Sequence, residues 1–155
     1  MTRRHRDLWG FALTVAGLAS AVAHADTVVT HAWVRATVPG QDATAAYMEI
    51  RSDRDTALVG GRSSIAGHVA LHEMQKDRNM MMMRPIDKLV IAAGHTVAIG
   101  AQSNHLMLED LKRQIQVGDK VALVLIFVDT DGTRHEVGVD AVARELAAQD
   151  SPHGQ

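Results

Sequence analysis

Four side chains, His72, Met83, His105 and Met107, carry the strongest chemical signal in this 155-residue chain. Imidazole nitrogen and thioether sulfur together suit copper far better than zinc, calcium or magnesium. The neighbouring text is rich in the same donors: His72-Glu73-Met74, then Met80-Met81-Met82-Met83, then His105-Leu106-Met107. Six of the seven methionines after the first residue fall between positions 72 and 107. Thioether is neutral and polarizable, so it binds soft Cu(I) and has little attraction for hard cations, whereas neutral imidazole serves both copper oxidation states. The mixture therefore favours Cu(I). With no ligand charge, it holds the ion less tightly than a thiolate cage and suits release.

Those donors need a scaffold that brings them to one place. On a β-strand, residues two apart share a face, so His105 and Met107 offer nitrogen and sulfur side by side, and His72 and Met74 repeat the geometry. Met81 and Met83 add thioethers from the segment between, giving more ligands than a four-coordinate ion can use. Methionine is also an ordinary core filler, and Met48, Met80 and Met82 read as packing residues.

Other constellations carry little. His72-Glu73 is not followed by a second histidine at position 76, which is Lys76, so the helical zinc-protease motif is absent. Asp53 with Asp55, and Asp129 with Asp131, sit in turn-like text where short polar side chains bond their own backbone. A hydrolase has no support. His31, His68, His95 and His135 lack methionine neighbours and read as structural or solvent-facing, while His153 could reach a metal only from the C-terminal tail.

Short apolar or alternating runs recur between turn signals and predict strands. They cover residues 28–36, 45–51, 56–60, 69–74, 81–85, 88–91, 96–99, 106–108, 120–128 and 134–139. So many short strands without room for helical crossovers favour an all-β sandwich or barrel. Two helical pieces are expected, a turn at 109–112 and a segment at 142–149. The continuous apolar run Val121–Val128 predicts a central strand covered on both faces. Asp129-Thr130-Asp131-Gly132 should turn it into a hairpin.

Residues 1–25 read as a secretory signal peptide, with Arg3, Arg4 and Arg6 before an apolar stretch from Leu8 to Val22 and an Ala23-His24-Ala25 cleavage pattern. The Arg3-Arg4 pair hints at twin-arginine export. The apolar stretch is shorter than the roughly 18–20 residues of a membrane span, so a soluble, periplasmic product is expected. Residues 26–145 then form one domain and 146–155 a loose tail. Removing Arg3, Arg4, Arg6 and Asp7 with the leader leaves 13 basic and 17 acidic residues, a formal charge of −4. No nucleic-acid or anionic-membrane footprint is visible. The chain has no cysteine, so its stability rests on packing, and thiolate copper centres of the blue-copper or carrier kind are excluded.

From about Thr30 to Val139 the chain resembles the periplasmic copper chaperones called PCuA(C), whose hallmark is His, ten residues, Met, twenty-one residues, then His-x-Met. His72, Met83, His105 and Met107 reproduce every interval. Flanking text agrees at Ala32-Trp33-Val34-Arg35, Met83-Arg84-Pro85, Leu111-Lys112 and Val117-Gly118-Asp119. The resemblance implies a cupredoxin-like β-sandwich with an exposed Cu(I) site formed by those four residues. It also implies delivery of copper toward cytochrome c oxidase, with its subunit II or a Sco-type chaperone as partner. The His- and Met-rich tail of some relatives is reduced here to His153.

The leading expectation is thus a periplasmic Cu(I) metallochaperone, monomeric and not an enzyme. A copper-sequestering resistance protein, a copper redox enzyme and a metal-free interaction module with a methionine face are the alternatives.

Overall fold

A computed structural model describes residues 27–78 and 80–146. The expected leader, and the expected tail beyond residue 146 with His153, lie outside them. The described residues form ten strands and no helix. They are β1 (Thr27–Arg35), β2 (Thr44–Ser52), β3 (Thr56–Arg62), β4 (His68–Asp77), β5 (Met80–Pro85), β6 (Leu89–Ile91), β7 (Thr96–Ile99), β8 (Asn104–Glu109), β9 (Lys120–Asp129) and β10 (Arg134–Arg144).

Hydrogen bonding links them in the order β5-β4-β8-β2-β1-β10-β9-β3-β6, with β7 also on β2. The ribbon folds over where β1 meets β10, a parallel pairing confined to Trp33–Val142, Val34–Ala143 and Arg35–Arg144. The β10-β9-β3-β6 layer thereby packs on the β2-β8-β4 layer. Alternating apolar residues from both layers fill the space between them. Val34, Ile50, Leu58, Leu71, Ile91, Leu106, Leu108, Leu123, Leu125 and Phe127 are each exposed by 2% or less. Fully burying a side chain of this size contributes about 1.5–3 kcal/mol, which explains how a chain without disulfides holds its sandwich.

All ten expected strands form, and four expectations need correction. No helical turn occupies 109–112: β8 runs to Glu109 and an irregular bend follows. The expected helix at 142–149 begins as strand, because the backbone of residues 142–144 is claimed by β1 and by the loop before β9. The Ala36 N–H donates to the Arg144 carbonyl, and the Ala143 N–H to that of Asp119, each at 2.8 Å. The rest of that segment lies largely outside the described residues. β9 is central in its layer, yet only Val121, Leu123, Leu125 and Phe127 are buried, and Val124, Ile126 and Val128 are partly exposed. Its outer face is therefore only partly covered.

Met48 packs in the core as expected, but Met80 and Met82 do not. They lie on β5, the outermost strand of its layer, and are 65% and 51% exposed. The Asp129–Gly132 turn forms as expected, with Gly132 at φ 85°, a conformation that favours glycine.

Candidate metal centre

Strand alternation aims the candidate ligands. On β4 and β8 the pairs Leu71–Leu106 and Val69–Leu108 face the core. His72–His105 and Ala70–Met107, one step along, must then face outward. Ala45 of β2 is opposite Met107, and Met83 of β5 is opposite Met74, so the same face collects them all. A one-residue slip would turn the imidazoles into the apolar core and Val69, Leu71, Leu106 and Leu108 out of it, so the core itself fixes the site's register.

His105 is the best-defined member. It is 5% exposed, and its Nδ1 lies 3.3 Å from the Ser103 carbonyl while Nε2 lies 2.8 Å from Met83 Sδ. A carbonyl only accepts, so this hydrogen bond requires the proton on Nδ1. That leaves the Nε2 lone pair turned toward the sulfur, and two electron donors then face each other. A backbone carbonyl that fixes the tautomer from behind is the usual support for a metal-binding imidazole. Burial pushes the His105 pKa below its ordinary value, the Ser103 contact opposes that shift, and nearby His72 adds to it. The ring is thus kept neutral and able to ligate.

His72 stacks beside His105, with ring centroids 6.1 Å apart and planes inclined by 24°. Its Nδ1 is buried with no hydrogen-bond partner. A buried polar atom left unpaired costs about 1–3 kcal/mol unless something binds it, which a metal ion would do.

A cavity of about 250 Å³ opens beside these groups, with Met74, Met83, His105 and Met107 on its wall along with Arg35, Thr44 and Tyr47. Small residues, Ala43, Ala45 and Ala101, leave the space. Of the four expected ligands the structure brings Met83, His105 and Met107 to this wall, and His72 stands one ring away beside His105. Met74, which repeats the His-x-Met spacing, takes a wall position. Arg35 and Tyr47 were not expected there. Their only local signal is alternation about buried residues, as Trp33 and Arg35 flank Val34, and Trp33 packs on Tyr47 at 4.4 Å between ring centroids.

Among the described residues no three His, Cys, Asp or Glu side chains gather where a metal could sit. The centre therefore offers imidazole and thioether, a soft set. Metal–nitrogen and metal–sulfur bonds of about 2.0 and 2.3 Å at a tetrahedral angle separate the two donor atoms by roughly 3.5 Å. Met83 Sδ must then withdraw from its 2.8 Å contact to admit an ion. It sits on an edge strand whose six residues are all exposed, so the movement disturbs no core packing.

Of the acidic pairs, only Asp131 bonds the backbone of its own turn, while Asp55 reaches a separate loop and Asp129 Oδ1 is buried 3.5 Å from His135 Nδ1. Asp55 accepts from the Ala93 N–H and Asp131 from the Thr133 N–H, each at 2.8 Å. His31, His68 and His95 are exposed, and His135 stacks on Phe127 and reaches Thr27 Oγ1 at 3.1 Å.

A family profile described as putative lipoprotein LpqE-like matches residues 27–140. The putative lipoprotein Lxx21020 of Leifsonia xyli subsp. xyli is 33% identical over 114 residues, covering 72% of this chain and 66% of that protein. This chain thus spans just under two thirds of that relative's length. The copper-bound PCuAC domain from PmoF2 has a TM-score of 0.61 at 23% identity, covering 77% of this chain and 93% of that one. The solution structure of Cu(I)-DR1885 from Deinococcus radiodurans has a TM-score of 0.59 at 29% identity, with 83% of each chain covered. The fold is that of these PCuAC domains, a cupredoxin-like β-sandwich.

Proposed function

The chain belongs to the LpqE-like lipoprotein family, and from that premise we propose that it is an exported copper-binding protein that carries Cu(I) on His72, Met83, His105 and Met107. One observation carries this reading: the neutral His105 ring, anchored at Nδ1 by the Ser103 carbonyl, turns Nε2 onto Met83 Sδ. The orphaned Nδ1 of His72 supports it. The copper held by a PCuAC domain and by DR1885 supports it from outside the chain.

Release follows from the same geometry. All four ligands are uncharged, and Met83 comes from an exposed edge strand, so an incoming donor can replace it first. Delivery to a copper-accepting protein of the cytochrome c oxidase assembly route, subunit II or a Sco-type chaperone, is the destination that the family hallmark suggests. No catalysed reaction is assigned. The proposed division is a signal peptide at 1–25, a copper-binding domain at 26–145 and a tail at 146–155, with periplasmic residence; N-terminal sequencing of the exported protein checks the first boundary.

Anaerobic competition against a chromophoric Cu(I) chelator, with X-ray absorption at the copper edge, tests the proposal. One retained Cu(I) with mixed nitrogen and sulfur neighbours supports it. No retained copper, or a shell of nitrogen and oxygen alone, overturns it. A carrier differs from a sequestering protein in cells: its loss lowers oxidase activity when copper is scarce, whereas loss of a sequestering protein raises copper sensitivity.

A further inference from the structure

Met80 to Met83 are 65%, 56%, 51% and 50% exposed. Four consecutive apolar side chains on an uncovered edge strand invite aggregation, so an exposed run of this kind calls for a functional explanation. Only Met83 belongs to the four ligands above. The register separates the others. Met83 lies opposite Met74 and Met81 opposite Lys76, in an unbroken antiparallel pairing. Met74, Met81 and Met83 therefore share the face of the cavity, while Met80 and Met82 share the reverse face with Gln75 and Asp77.

Directly opposite residues hold their Cβ atoms about 5 Å apart and diagonal ones about 7–8 Å, within reach of long side chains. Met74–Met83 is the opposite pair and Met74–Met81 the diagonal. Met81 and Met83 lie two residues apart, about 7 Å along the strand. Three unbranched thioethers, each with free rotation about its bonds, can thus close on one ion. Two cations share that face, Lys76 opposite Met81 and Arg35 on the cavity wall, and the flexible stem of exposed Lys76 lets its ammonium turn to solvent.

We propose that Met74, Met81 and Met83 form a second, outer soft-metal position on the β4–β5 hairpin, which takes a univalent ion through three thioethers and hands it inward when Met83 turns to His105. It adds to the carrier reading and does not depend on the histidines. Met83 belongs to both positions, and its 2.8 Å contact with His105 Nε2 shows that it reaches the inner one.

Silver(I), soft, univalent and redox-inert, is the probe, added to protein carrying 13C-methyl methionine and followed by NMR. The first equivalent should shift the Met83 and Met107 methyls, and further silver the Met74 and Met81 methyls, with Met80 and Met82 moving much less. In a His72→Ala/His105→Ala double variant, one silver should be retained with sulfur neighbours only. Adding Met81→Leu should weaken that binding by about tenfold, and adding Met82→Leu should not. Silent Met74 and Met81 methyls in the wild type, or equal effects of Met81→Leu and Met82→Leu, overturn the outer position. If Met83 and Met107 still respond in that case, the four-ligand reading stands; if only Met74, Met81 and Met83 respond, it is the four-ligand reading that falls.

Discussion

His72 and His105 occupy directly opposite positions on β4 and β8, and their rings stack at 6.1 Å, yet their surroundings differ. His105 has one nitrogen bound to the Ser103 carbonyl and the other on Met83 Sδ, whereas the Nδ1 of His72 has no partner. The two imidazoles are therefore unequal as candidate ligands, one fixed at both nitrogens and one with its Nδ1 unpaired.

His105→Ala should lower Cu(I) affinity by roughly 100-fold, since even a supporting group around a metal site is worth 10–100-fold. The side chain lies on the cavity face, so the sandwich should persist. Chelator competition reads the affinity and far-ultraviolet circular dichroism the fold. An unchanged affinity would remove His105 from the site.

Gly61 of β3 packs against its neighbour β9 and against Val69 of the ligand-bearing strand β4. A Cβ there would stand 2.9 Å from the Val124 carbonyl oxygen and 3.3 Å from Cγ1 of Val69, on β4. The first contact is with backbone and yields little. Gly61→Ala should cost about 1–3 kcal/mol by overpacking, seen as a lower urea midpoint. Gly94, whose added Cβ meets nothing within 4 Å, lies at φ 75°, so its alanine variant reports conformational strain without the clash.

Alternation made the strands legible: buried Leu71, Leu106 and Leu108 flank the residues that must face outward. Ligand softness and spacing singled out Met83, His105 and Met107, which the fold brings to one cavity wall. What stayed hidden depended on partners far along the chain. Met80 and Met82 read as packing residues because nothing local says that β5 ends the layer. Residues 142–144 read as helix because their claim on β1, more than a hundred positions earlier, leaves no trace in their own text. The position of Arg35 and Tyr47 on the cavity wall likewise follows from β1 lying beside β2, which no motif announces.

The metal-free protein should lose stability as pH falls through the range just below 6.5. His105 has a folded pKa below that ordinary value because burial disfavours its charged form. Between the two pKa values the unfolded chain binds a proton that the folded chain does not, so protonation favours unfolding. The contribution is fully present above 6.5 and is lost as pH drops toward the folded pKa. Urea midpoints at several pH values should fall less steeply in His105→Gln. An identical slope would place the responsible titration elsewhere.

Trp33 should report metal loading. Its ring lies 4.4 Å from that of Tyr47, which forms part of the cavity wall with His105 and Met107. It is also the sole tryptophan among the described residues, Trp9 lying in the expected leader. An ion drawn to His105 and Met107 changes the electric field and packing around Tyr47, and the tilted ring contact passes that change to the indole. Titration with silver(I) should alter Trp33 emission and saturate at the first equivalent, before the outer methionines respond. Trp33→Phe should abolish the signal and leave the affinity within about twofold, because Trp33 is not part of the cavity wall. A response that instead follows the second equivalent would put the first ion on the hairpin, away from the cavity.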